Sequence, residues 1–165
     1  MPTLAGFLAF VRTMGIPPAA LPDDSFWLAT AFNVAIAVAN IQLAQVAVDT
    51  SGTTIYTLMV YNLAADNLVN YAQDVAGGPS FLDPTGFPPD DPPLPFFAGM
   101  RKQWGINNFA AGVVASTSDV STSTSLEVPE QLKMLTLANL RNLKTPWGRQ
   151  YLEFAQDYGT LWGLS

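Results

Sequence analysis

The chain has 165 residues, the length of one ordinary domain, and only 12% of them are charged against 49% apolar. That is about half the usual charged share of roughly 25%, so part of the surface is expected to be covered by neighbours. Without Cys or His, there is no disulfide scaffold, thiolate nucleophile, cysteine zinc site or histidine base; any catalysis would rest on carboxylates, on Lys or Ser/Thr nucleophiles, or on a hard cation.

The net charge of -6 is unevenly placed. Residues 1 to 100 hold one base, Arg12, against eight acids, whereas residues 101 to 165 hold six bases against five, giving -7 and +1. An acidic balance argues against a grip on nucleic-acid phosphates. It leaves room for a surface that DNA passes.

MPTLAGFLAFVRTMG has no basic region before its apolar stretch and carries Arg12 within it, so no signal peptide is expected. Leu4, Phe7, Leu8 and Val11 share a helix face, predicting a helix over about 3 to 14 that Gly15, Pro17 and Pro18 end. Asp23, Asp24 and Ser25 supply capping oxygens for a second helix from Phe26 to about Val48. This uncharged segment is long enough to span a bilayer. Asn33, Asn40, Gln42 and Gln45 within it, and the acidic flanks Asp23, Asp24 and Asp49, favour a buried helix of a soluble bundle instead.

The turn DTSGTT is followed by a third helix, IYTLMVYNLAADNLVNYAQ, to about Val75, with Ile55, Leu58, Met59, Asn62, Leu63 and Asp66 along one side. Helices two and three read as an antiparallel hairpin at the centre of a bundle. Gly77 to Phe97 holds seven prolines and three glycines and is expected to be a long loop. Its Phe81, Leu82, Phe87, Leu94, Phe96 and Phe97 lay apolar groups either on its own bundle or on an identical neighbour. Residues 98 to 108 read as a short helix or turn.

Between Phe109 and Leu126 the periodicity becomes two, as in GVVASTSDVSTSTSL, which predicts a projecting β-hairpin over residues 112 to 126, turning at Ser118 and Asp119. Its hydroxyls lack the Gly-rich turn and Lys of a phosphate loop and suit cross-strand pairing. Pro129 and Glu130 begin a helix carrying Leu132, Leu135, Leu137 and Leu140, and Asn142 to Pro146 interrupts it. A last helix spans about 146 to 158, with Thr145 as N-cap and Pro146 in the first position. The expected fold is mainly α: one domain over 1 to 165, a bundle of four to five helices with a projecting β-hairpin and a long Pro-rich loop.

The acid pairs Asp23/Asp24 and Asp90/Asp91 are the material for a small carboxylate-dependent hydrolase. Adjacent acids in Pro-rich turns are more simply caps and solvated loop residues, and PPDDPPL lacks the spaced oxygens of a calcium site. No catalytic, cofactor-binding or metal residue is assigned.

The segments LAGFLAFV, YTLMVYNLAADNL, GVVASTSDVS and TPWGRQYLEF, taken in that order, together resemble the head-to-tail adaptor or connector proteins of the necks of tailed bacteriophages. Gly112, Val113, Val114, Ser116 and Ser118, continued by Val120 and Ser121, match a Gly-Val-x-Ser-x-Ser segment. TPWGRQYLEF carries the Thr-x-aromatic-Gly-x-x-Tyr ending at Thr145, Trp147, Gly148 and Tyr151. YTLMVYNLAADNL is similar to the family's Tyr-containing central helix, and LAGFLAFV to its Phe-rich opening. The loop from Gly77 to Phe97 is longer and richer in Pro than the family's, so no role is carried over to it.

The resemblance implies a non-catalytic virion protein that forms a ring, usually of twelve copies, between the portal protein and a tail or tail-terminator protein. Genomic DNA would run through the lumen without specific binding, and the ring would assemble in the host cytoplasm without cofactor or membrane. On this reading the acidic first part lines a lumen that repels DNA, and Lys133, Arg141, Lys144 and Arg149 face an acidic partner. The expected assembly contacts are Val113, Ser116, Ser118, Val120 and Ser121 on the hairpin, Thr145, Trp147, Gly148 and Tyr151 at the last helix, and Phe87, Phe96 and Phe97. A tail-completion, terminator or capsid-stabilising protein is the alternative within the virion.

Overall fold

The computed structural model describes residues 1–39, 47–49, 52–82, 92–108, 116–119, 122–125 and 141–158, with backbone alone for 116–119 and 122–125. The described part is mainly helical.

Helix α1 (Leu4–Thr13) begins where the Thr3 hydroxyl accepts the Gly6 N–H at 3.0 Å, and the chain leaves it through Gly15 at φ +83°. Arg12 then fixes the turn that follows, donating to the carbonyls of Ile16 and Leu21 at 2.9 and 2.8 Å and pairing with Asp23. Helix α2 (Phe26–Val38) starts on Ser25, whose hydroxyl accepts the Trp27 N–H.

This helix ends at Val38 and does not run to Val48 as its composition predicts. Val48 instead forms an antiparallel bridge with Thr54, and Asp49 accepts the Thr53 N–H at its carboxylate. Pairing across the Gly52 turn holds residues 47–49 extended, and an extended chain cannot share the helical hydrogen-bond pattern. No helix among the described residues is long and apolar enough to cross a membrane.

Helix α3 (Ile55–Tyr71), capped by Thr54, is the central element. Met59, Val60, Ala64, Ala65 and Val69 are fully buried, and α1, α2 and two later helices pack around it. Phe7 of α1, Phe32 of α2 and Tyr61 of α3 meet with ring centroids 5.8 to 6.5 Å apart. Gly6 admits this contact, because a Cβ there would lie 2.1 Å from the Tyr61 hydroxyl.

Helix α3 stops at Tyr71, short of the predicted Val75, because Ala72 turns extended. The freed carbonyls of Val69 and Ala72 accept the Arg101 guanidinium. Two residues on, the Asp74 carboxylate receives the N–H groups of Phe97 and Ala98 at 2.6 and 3.1 Å. That cap starts helix α4 (Phe96–Gln103), which has no side-chain cap at Pro95. The predicted loop therefore ends earlier than expected, and Phe96 and Phe97 are helical.

The two ends of the Pro-rich loop are tied by a Ser80–Pro95 bridge and a 2.9 Å bond from Phe81 N–H to the Leu94 carbonyl. Phe81 is buried against Phe96 and over Gly99, so the base of the loop folds on its own bundle. Residues 83–91, Phe87 among them, lie outside the described residues.

A 3-10 turn, Ile106–Asn108, follows. Strands β1 (Ser116–Asp119) and β2 (Thr122–Ser125) pair antiparallel, with Ser118 opposite Ser123 and Asp119 opposite Thr122, so Ser118 and Asp119 are paired strand residues and not the expected turn. How this ribbon stands to the helices rests on neighbouring residues that are not described. The helix expected from Pro129 also lies outside them. The last helix, α5 (Pro146–Tyr158), has the predicted bounds and packs along α3.

Candidate functional site

The seam between α3 and α5 is built on a buried carboxyl. Asp66 is 0% exposed, in the middle of α3, and its Oδ1 accepts the Thr145 hydroxyl at 2.5 Å. The same Thr145 oxygen accepts the Gly148 N–H at 2.9 Å, so one side chain caps α5 and ties it to α3. Pro146 occupies the first helical position, where no N–H is needed. A Cβ on Gly148 would lie 2.1 Å from the Asn142 carbonyl oxygen and 2.7 Å from Asp66 Oδ1, so only glycine permits this approach. Tyr151, one turn on, is buried, and desolvation raises its phenol pKa.

Arg141 flanks the carboxyl. Its guanidinium donates to the Tyr71 hydroxyl at 2.5 Å and to the side-chain oxygens of Asn67 and Asn142 at 3.0 and 3.2 Å. It also lies over the Tyr71 ring. Each of these bonds ends on a neutral oxygen, while Asp66 Oδ2 lies 3.9 Å away without a hydrogen-bond partner among the described residues. Burial raises the Asp66 pKa above the usual carboxyl range, outweighing the opposite pulls of Thr145 and Arg141. Arg141 and Asp66 nonetheless lie within ion-pair distance, at 3.9 Å.

Beside this seam a groove of about 440 Å³ opens between α2 and the C-terminal half of α3. Trp27, Val34 and Val38 form one wall, Leu63, Leu68 and Tyr71 another, and Asn67, Asn142 and Arg141 contribute its polar groups. Val34 and Val38 remain 46% and 59% exposed. Apolar walls with a few convergent polar groups suit binding.

The expected contact residues are distributed differently from the sequence reading. Thr145, Gly148, Tyr151 and Phe97 are buried in the chain's own core, with Tyr151 also lining the groove. Phe96 and Trp147 are half-buried, Trp147 edge-on to Trp104 at 6.0 Å. Ser116 and Ser118 fall in β1, while Val113, Val120, Ser121 and Phe87 lie outside the described residues. Of the acid pairs, Asp23 is engaged by Arg12 and Asp24 is exposed; Asp90 and Asp91 are not described. No group of three or more acids that could hold a metal occurs among the described residues.

Comparison with protein-family models, with curated proteins and with solved structures finds no match for this chain. The site therefore rests on its own geometry. Its two charged members were missed in the sequence as a pair, although each left a trace: Asp66 is the one acid in an otherwise uncharged helix, and Arg141 falls where the leucine periodicity breaks.

Proposed function

We propose that the chain is a structural virion protein, a head-to-tail adaptor whose copies form a ring between portal and tail through which DNA passes. The observation that carries this reading is the ordered pair of a Ser/Thr ribbon and the terminal TPWGRQY, whose Thr145 and Gly148 secure α5 to the central helix. The low charged share supports a subunit flanked by two identical neighbours in a closed, heterologous ring.

In this proposal the ribbon projects from the bundle and is inserted between subunits, joined by Trp147, Phe96 and Phe87. Thr145, Gly148, Tyr151 and Phe97 hold the platform from which those contacts are made. The acidic N-terminal part would keep DNA mobile in the lumen, and the later bases would meet an acidic portal or tail surface.

Deleting residues 113 to 125 tests the reading. The variant is expected to keep its helical circular dichroism and to lose assembly into necks. Normal tailed particles built with the deletion variant would refute it.

A further inference from the structure

The start of α2 carries a feature that the fold does not use. Phe26 is 73% exposed, the most exposed large apolar side chain among the described residues after Met1. Its backbone position is fixed by the Ser25 cap at the first position of α2, and its ring has one aromatic neighbour, Trp27, edge-on at 5.7 Å. An aromatic ring held in water on a rigid helix end is the form of a binding anchor. Beside it stand two acids: Asp23, already paired with Arg12, and the exposed Asp24.

The groove between α2 and α3 has the opposite chemistry. It is wide enough for an aromatic ring, its walls are apolar, and its one ionic lining group among the described residues is Arg141, whose hydrogen bonds end on neutral oxygens and which lies 3.9 Å from Asp66 on its buried side. Phe26 does not line the groove of its own chain. Knob and socket thus match in shape class and in charge, and both belong to the same sequence.

We propose that this groove is the docking site for the Phe26 corner of a second copy of the chain, the ring entering between Val34, Val38 and Tyr71 and the exposed acid Asp24 facing Arg141. The inference deepens the adaptor reading, which requires contact between identical subunits, by naming one such contact.

Replacing Phe26 with the photoreactive analogue p-benzoylphenylalanine keeps an aromatic ring at the knob. The full-length chain, mixed from isotopically light and heavy preparations, is assembled with the portal protein encoded in the same genome and irradiated. The expected product joins position 26 of one isotope to peptides containing Val34, Val38 or Tyr71 of the other. Val34→Glu, at an exposed site, should lower the yield more than about tenfold by placing a charge against the ring. Asp24→Asn should lower it by about two- to fivefold, the effect of an exposed ion pair. Products confined to a single isotope, or scattered over the surface without preference for the groove, would overturn the proposal. The adaptor reading is judged separately: products that stop at two copies keep this contact and remove the ring, whereas rings on the portal without links from position 26 to the groove keep the ring and remove this contact.

Discussion

The α3–α5 seam and the open side of α2 adjoin one another, yet they solve opposite problems. At the seam Asp66, Thr145 and Gly148 are packed so closely that Gly148 has no room for a methyl group. On α2, Phe26, Val34 and Val38 remain 73%, 46% and 59% exposed. The first region is complete within one chain, and the second has apolar surface left over. A polar group buried at the seam requires a partner at a fixed distance, which makes the seam specific and brittle. Apolar surface on a helix tolerates many neighbours and acquires meaning only with a partner.

Substitutions should separate the two regions sharply. Gly148→Ala is expected to cost about 3 kcal/mol in urea or thermal unfolding, because its methyl meets a backbone carbonyl that cannot swing aside. Helix propensity favours Ala over Gly by about 1 kcal/mol, and a variant as stable as the parent would show that the seam is looser than described. Thr145→Val should cost about 2 kcal/mol, since it removes the α5 cap and leaves Asp66 Oδ1 without its donor. Thr145→Ser should recover most of that loss. Asp74→Ala should cost about 1 kcal/mol and lower the helicity of α4, whose first N–H groups it would leave open.

The smallest effects depend on pH and on the surface. Because the folded pKa of Asp66 is raised by burial, its contribution to stability is full below the unfolded carboxyl pKa and is lost as pH rises through the folded value. Asp66→Asn retains an oxygen for Thr145 and removes this titration. It should flatten the acid-to-neutral stability profile and be the more stable protein at neutral pH; an unchanged profile would show that burial does not shift the titration of Asp66. Val34→Glu, on the open side, should leave folding stability within about 0.5 kcal/mol.

The same contrast explains what could be read from sequence. The bounds of α1 and α5, and the cap at Thr145, were legible because their causes are local: periodicity, a hydroxyl before the helix, and Pro in the first position. The ends of α2 and α3 were not. Pairing across residues 47 to 54 keeps Val48 out of a helix, and Arg101 takes up carbonyls freed at the end of α3 from 29 and 32 residues away in sequence. Helix α4 began early because its cap, Asp74, is contributed from a different turn of the chain. The terminal motif was visible as a string, but the reason for its Thr and Gly lies at Asp66, 79 residues before Thr145. A sequence lists such residues without saying that they meet.

The adaptor proposal is tested most directly by the native mass of the purified chain alone and after mixing with the portal protein encoded in the same genome. The proposal predicts a single chain in isolation and, when the portal is present, a closed ring of about twelve copies, the number that the adaptor resemblance implies. A sixfold assembly, placement on the capsid lattice, or no binding to the portal at all would contradict it.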